Sequence, residues 1–205
     1  MAELDSLRPS SAAPPQISLI TLDIPCVSFV RLPPKLDPVS LVHGLCMDAS
    51  HNDPSQPRSR YIKRLTPVSL IRKTLNNGIE ALCDIVLRPH FEITPESGDQ
   101  GGVKYAIRPT IRNNNQIHRD EVIKVVAEKI ARFGLGRHKV DLGGYEKLVF
   151  VDVYRNVVGM SVVVGGSAEY ERLKRYNLAE IYAERRKEVP TEAEQNEDPT
   201  RGTNK

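Results

Sequence analysis

Three arginines, a histidine and three asparagines crowd one short run of the chain. Arg108, Arg112, His118 and Arg119 flank Asn113-Asn114-Asn115 within residues 104–124. Guanidinium groups make forked, charge-assisted hydrogen bonds to phosphate oxygens, and asparagine amides add neutral donors and acceptors. Asp120 and Glu121 follow His118 as acids do in a first helical turn, which would set a helix N-terminus and its unpaired N–H groups beside the cations. Consecutive asparagines favour turn geometry over regular structure. The set suits the holding of a ligand rich in phosphates and hydroxyls, as RNA is. No nucleophile paired with a base stands among them.

A second basic run precedes it. Arg60, Lys63 and Arg64 belong to six cations within residues 58–73, where no acid occurs. Lys174-Arg175-Tyr176-Asn177 offers two more cations and an aromatic ring able to stack on a base, although a solvated helix start reads equally well. Other candidate chemistry is thinner. The five histidines lack metal-ligand spacing, no serine sits in a G-x-S-x-G setting, and no C-x-x-C pair exists. Gly134-x-Gly136 follows a helical pattern instead of opening one, as a helix terminator does and a nucleotide loop does not. Asp152, flanked by Val151 and Val153, reads as an ion-pair partner for an arginine. The residues point to a binding protein, not an enzyme, with no catalytic residue, metal or cofactor of its own.

The formal net charge is only +3, but its distribution is uneven. Residues 104–147 carry ten Lys/Arg against five Asp/Glu, while 188–198 are acidic. A basic body of this kind favours polyanions. Cys26, Cys46 and Cys83 each sit among apolar neighbours and are expected as reduced, buried thiols of an intracellular protein. No stretch approaches the roughly 20 apolar residues of a membrane span, and no signal peptide is evident.

Periodicity then supplies the elements that must position these residues. Strands are expected over 16–24 and 26–32, and a helix after Asp37-Pro38 with Val39, Val42, Leu45 and Cys46 as its apolar face. A strand is read over 60–66 and a long helix from Pro67 to about Leu87, with Gly78 weakening its middle. A strand over 103–108 ends or bends at Pro109. A helix capped near His118 buries Val122, Val126, Ile130 and Phe133. Residues 139–142 are extended, 147–154 and 157–164 are central strands, and 168–187 begin as a loop and turn helical. The alternation means an α/β (α+β) arrangement.

Five ordered motifs, Arg108-Pro-Thr-Ile-Arg-Asn113, His118-Arg-Asp-Glu-Val-Ile123, Lys139-Val-Asp-Leu142, Val158-Gly-Met-Ser-Val-Val163 and Lys174-Arg-Tyr-Asn-Leu178, resemble the THUMP-domain tRNA acetylation adaptor family, eukaryotic proteins required for N4-acetylcytidine in the D-arm of serine and leucine tRNAs. Asp23-Ile-Pro-Cys-Val-Ser-Phe29 and Arg58-Ser-Arg-Tyr-Ile-Lys-Arg-Leu-Thr-Pro67 are similar to the same family, so the likeness covers residues 20–182. The resemblance implies a ferredoxin-like N-terminal lobe, partial here, followed by a THUMP domain with a mixed sheet and flanking helices. It places the incomplete lobe over 16–100 and the THUMP core over 101–187 (the helix over 67–90 assignable to it), while composition alone marks 1–15, rich in Ser, Pro and Ala, and the acidic tail over 188–205 as disordered. Members usually begin with a basic extension and a further strand and helix, so an exposed sheet edge is expected in the N-terminal lobe. The implied partners are tRNA and an RNA cytidine acetyltransferase that uses acetyl-CoA and ATP, with no membrane. The implied location is the nucleus or nucleolus, with the cytoplasm as alternative. The implied RNA contacts are Arg108, Arg112, Asn113, His118 and Arg119, then Arg60, Lys63 and Arg64. An RNA-modifying enzyme fragment and a basic protein-interaction module are the competing readings.

Overall fold

The computed structural model describes residues 17–21, 26–52, 59, 61–75, 77–94 and 101–188. The expectations for 1–15 and 189–205, and the candidate Arg60, lie outside the described residues. Strands β1 (Ser18–Thr21) and β2 (Ser28–Arg31) pair antiparallel as a separate two-stranded sheet. Helix α1 (Pro38–His51) starts as its residues dictate. The Asp37 carboxylate accepts from the Ser40 N–H at 2.8 Å and its hydroxyl at 2.7 Å, while Pro38 fills a first-turn position that needs no N–H. Val42, Cys46 and Ala49 are its buried face, but Leu45, expected there, stands exposed.

Residues 60–73 depart most from expectation. Of the strand expected over 60–66, the described residues 61–66 show only an isolated bridge from Arg64 to Asn177. The long helix does not start at Pro67 either. The chain there runs extended into β3 (Leu70–Lys73), and helix α2 (Gly78–Leu82) begins only after a turn at Asn77 with φ of 57°. Gly78 is therefore an entry residue and not a weak middle. A Cβ on it would lie 1.8 Å from the Lys73 carbonyl oxygen, so only glycine permits this approach of turn to strand. A π-helical turn (Cys83–Leu87) carries α2 into α3 (Arg88–Phe91).

Strand β4 (Lys104–Arg112) passes straight through Pro109, where the sequence suggested a break. Successive carbonyls of β4 point to alternate sides: Lys104 accepts from the Glu146 N–H, and Tyr105 from the Asp141 N–H. By that alternation Pro109 faces away from its paired neighbour, where it has no ladder bond to lose. Helix α4 (Arg119–Phe133) buries Val122, Val126 and Ile130, three residues one helical face apart, each contributing about 1.5–3 kcal/mol. His118 holds the N-cap position without a side-chain cap bond. Gly134 to Gly136 end the helix, with the Gly136 N–H returning to the Ala131 carbonyl at 2.8 Å.

The short β5 (Lys139–Val140), β6 (Lys147–Tyr154) and β7 (Val157–Val164) complete a sheet ordered β3-β7-β6-β4-β5. The β4 pairings with β5 and β6 are parallel and the rest antiparallel. The last segment is helical from its start: α5 (Gly166–Arg172), a tight turn (Lys174–Tyr176) and α6 (Leu178–Glu188). One sheet face packs Val149, Val151, Val153, Val158 and Met160 against the 78–91 helical run and α4. The other packs Ala106, Leu148, Phe150 and Val163 against α1, α5 and α6. The architecture is thus a three-layer mixed α/β one, as its alternating elements required. Of the three cysteines, Cys46 and Cys83 are buried but Cys26 is exposed.

Candidate nucleic-acid interface

The second sheet face carries the cations. Alternation along β4 places Ala106 in the apolar cluster of that face, so Arg108, Thr110 and Arg112 project on the same side. Arg108 and Arg112 are four residues apart, about 13 Å along the strand. In the register row of Arg112 come Tyr154, Val157 and, at the far edge of the sheet, Lys73. The apolar half of the face is roofed by helices, and its polar half by the 61–69 segment. Val68 rests over Gly159, where a Cβ would come within 2.6 Å of it, and the buried Ser161 hydroxyl donates to the Pro67 carbonyl at 2.8 Å.

At the strand exit the expected residues are present but unequally available. Arg112 lies 3.5 Å from Asp152, whose carboxyl is held above its usual range by burial, against the opposing pull of Arg112 and the Thr110 hydroxyl. The pairing foreseen for Asp152 is therefore with Arg112. Arg119 reaches back to donate to the Pro109 carbonyl at 3.0 Å, capping the unpaired side of β4. Asn114 is a staple, not a ligand group: its amide donates to the Arg155 carbonyl, and its oxygen accepts from the N–H groups of Gln116 and Ile117. Asn113, at φ of 52°, and His118 are exposed. Asp120 and Glu121, also exposed, occupy the first turn of α4 and set negative charge where an anion would approach that helix end.

Arg108 belongs to a different neighbourhood. Its guanidinium donates to the Tyr170 hydroxyl at 3.0 Å, with its carbon 5.6 Å from the ring centre. Tyr170 in turn meets Tyr176 edge-on at 5.1 Å and Phe150 at 5.8 Å. The 63–65 segment is laced to the same place: the Leu65 N–H donates to the Tyr176 carbonyl, and Arg64 bridges Asn177. Between them lies a strained turn. Lys174, Arg175 and Tyr176 have φ of 49°, 54° and 59°, three consecutive non-glycine residues in the left-handed region, at roughly 1–2 kcal/mol each. Glu171 grips Arg175 through both carboxylate oxygens, at 2.8 and 2.9 Å, and Glu184 holds Lys174.

The structure thus splits the expected cluster into two patches. Arg112, Asn113, His118 and Arg119 gather at the strand exit. Arg64, with Lys63 beside it in sequence, joins Arg108 near the Tyr170–Tyr176 pair. Tyr176, offered by the sequence as a stacking ring, is buried, with 2% of its surface accessible. The aromatic that does stand in solvent is Tyr61, 96% exposed and two residues before Lys63. Sequence reasoning passed over Tyr61 despite its basic neighbours, a signal that was there to use, and over Tyr170, for which no local signal existed. Among the described residues no group of three or more metal-ligating side chains converges, and no helix is long and apolar enough to cross a membrane.

Residues 77–163 match the THUMP domain family. An uncharacterized protein of Schizosaccharomyces pombe is 31% identical over 176 residues, covering 85% of this chain and 56% of its own length. A protein of Saccharomyces cerevisiae named as a tRNA acetyltransferase is 29% identical over 168 residues, covering 81% of this chain and 56% of its own. The solution structure of the THUMP domain of THUMP domain-containing protein 1 aligns at 27% identity and a TM-score of 0.37, over 45% of this chain and 87% of that one. This chain spans about half the length of the two yeast relatives, at 56% of each.

Proposed function

We propose that this chain, which contains a THUMP domain, is a tRNA-binding adaptor that presents its RNA to a separate RNA cytidine acetyltransferase for N4-acetylcytidine formation on serine and leucine tRNAs. The observation that carries the reading is the row of cations along β4 and the 61–65 segment. Arg108 has a neutral hydroxyl as its partner, and Arg64, Lys63 and His118 pair with no carboxylate among the described residues. Such a surface attracts phosphates over a broad area and reads RNA by outline more than by base edge. The similarity to the yeast tRNA acetyltransferase supports acetylation as the process served. A nuclear or nucleolar location belongs to the same proposal.

That relative's name also favours a second reading, in which the chain takes part in the acetyl transfer itself. One reconstitution separates the two. Purified chain, tRNA, acetyl-CoA and ATP are combined with and without an RNA cytidine acetyltransferase, and acetylcytidine is counted by mass spectrometry of nucleosides. The adaptor reading expects product only in the mixture with the enzyme, and more of it than the enzyme makes alone. Product from the chain alone establishes the second reading.

A further inference from the structure

We propose that Arg64 and Arg108, gathered at the left-handed turn Lys174–Tyr176, form a discrete site for a single phosphate group of a folded RNA. The source of that phosphate rests on the tRNA-binding reading; the site itself rests on geometry. Three separate parts of the chain meet there: the 63–65 segment bonded to Tyr176 and Asn177, strand β4 through Arg108, and the turn after α5. Like Lys63 beside Arg64, the two arginines have no acid of their own among the described residues, whereas the cations of the turn and of α5 do. Lys174 is committed to Glu184, Arg175 to Glu171, and Arg172 lies 3.5 Å from Glu169. The remaining carboxylate close by, Glu180, accepts from the Asn177 amide at 2.5 Å. Two uncompensated guanidinium groups are left, and guanidinium prefers paired contacts to phosphate oxygens.

Tyr170 is the positioning residue. Its ring is clamped by Phe150 and Tyr176, so its hydroxyl is fixed, and the hydroxyl fixes Arg108 while leaving the charge unneutralised. Burial pushes this hydroxyl's pKa up and keeps it protonated, Arg108, Arg64 and Arg175 pull the other way, and the Glu171 carboxylate, held by Arg175, adds a smaller upward push. The left-handed turn accounts for the convergence. With the Tyr176 carbonyl taken by Leu65 and Asn177 bridged to Arg64, the turn ties the basic segment to the sheet face. Backbone held in a sparsely populated region is characteristic of sites that fix a ligand group.

The test uses the full chain and tRNA, with binding followed by fluorescence anisotropy across a salt series. Arg64→Gln changes an exposed side chain and leaves its backbone bridge intact. It is expected to weaken binding roughly 5- to 10-fold at about 0.1 M salt and to lower the salt slope by about one phosphate's worth. Tyr170→Phe keeps the ring and drops the hydroxyl. Its loss is expected to be smaller and to vanish in an Arg108→Gln background, as coupling through one contact requires. If both variants bind tRNA like wild type while Arg112→Gln/Arg119→Gln does not, the site is refuted and the RNA reading stands. If wild type binds no tRNA, the RNA reading falls and inorganic phosphate decides. Shifts of the Arg64 and Arg108 side-chain N–H signals then assign the site to free phosphate, and unmoved signals refute it.

Discussion

Asp152→Asn is the change whose consequences the interface geometry fixes most tightly. The Asp152 side chain is 11% exposed and that of Arg112 47%, with 3.5 Å between them, the outer limit of a hydrogen bond. Burial raises the Asp152 pKa more than Arg112 and Thr110 lower it, so the buried charge is poorly compensated. Asparagine keeps an acceptor for both neighbours, removes that charge and leaves Arg112 as a full surface cation. One added phosphate contact steepens the salt exponent by about 0.7–0.9, which over a fourfold salt change is a factor of roughly three. Binding of tRNA at about 50 mM salt is therefore expected to tighten some three- to fivefold, with the gain shrinking at higher salt. Stability has a definite sign as well. A carboxyl whose folded pKa lies above the unfolded one contributes stability that is full below about pH 3.9 and is lost as pH rises through the folded pKa. The variant should thus melt at or above the wild-type temperature near neutral pH, the two converging in acid. Anisotropy and melts from pH 4 to pH 8 measure both. Weaker binding, or a melting loss of several degrees, would show that Asp152 and Arg112 are a structural pair and sink the reasoning.

Three further outcomes follow from particular contacts. Gly78→Ala is expected to destabilise: a Cβ 1.8 Å from the Lys73 oxygen forces a backbone shift at about 1–3 kcal/mol, whereas a mid-helix glycine would gain up to about 1 kcal/mol from alanine. A melting temperature several degrees lower, at about 2–4 °C per kcal/mol, checks the sign. Iodoacetamide at mildly alkaline pH should label Cys26 first. Cys46 and Cys83, buried with thiols pushed up to about 12, should react only on unfolding, as peptide mapping would show. Tyr154→Phe removes a buried hydroxyl that has no partner among the described residues and should raise stability by about 1 kcal/mol in a denaturant titration; a loss would mean that the hydroxyl is satisfied in solution.

What was legible in the chain was what neighbouring residues decide. Asp37-Pro38 announces α1 because a carboxylate and a missing N–H both suit a helix start. Strands β6 and β7 read directly as apolar runs long enough to be buried on both faces. The stripe of α4 follows from Val122, Val126 and Ile130 alone. Residues 66–78 misled for a physical reason. Leu70, Ile71, Leu75 and Ile79 fit a helical period, yet in a four-residue edge strand alternation and helical spacing can barely be told apart, and the exposed Ile71 and Leu75 are held by no core. The interface was half legible. Composition located its cations, but their grouping depends on long-range pairing, Arg64 with Asn177 and Arg108 with Tyr170, which no local pattern encodes. The left-handed turn was hidden for the opposite reason: Lys174-Arg175-Tyr176 contains no glycine or asparagine to signal it.

The central claim is that folded tRNA is held on the Arg108–Arg112 face through its phosphates. Its most direct measurement is the affinity of this chain for tRNA against salt, for wild type and for Arg112→Gln/Arg119→Gln. Glutamine removes the charge without setting a second carboxylate against Asp152. The account predicts a steep salt dependence in wild type, with a weaker affinity and a slope shallower by about one phosphate contact in the variant, at an unchanged circular dichroism spectrum. Equal affinities and equal slopes in a folded variant would contradict it.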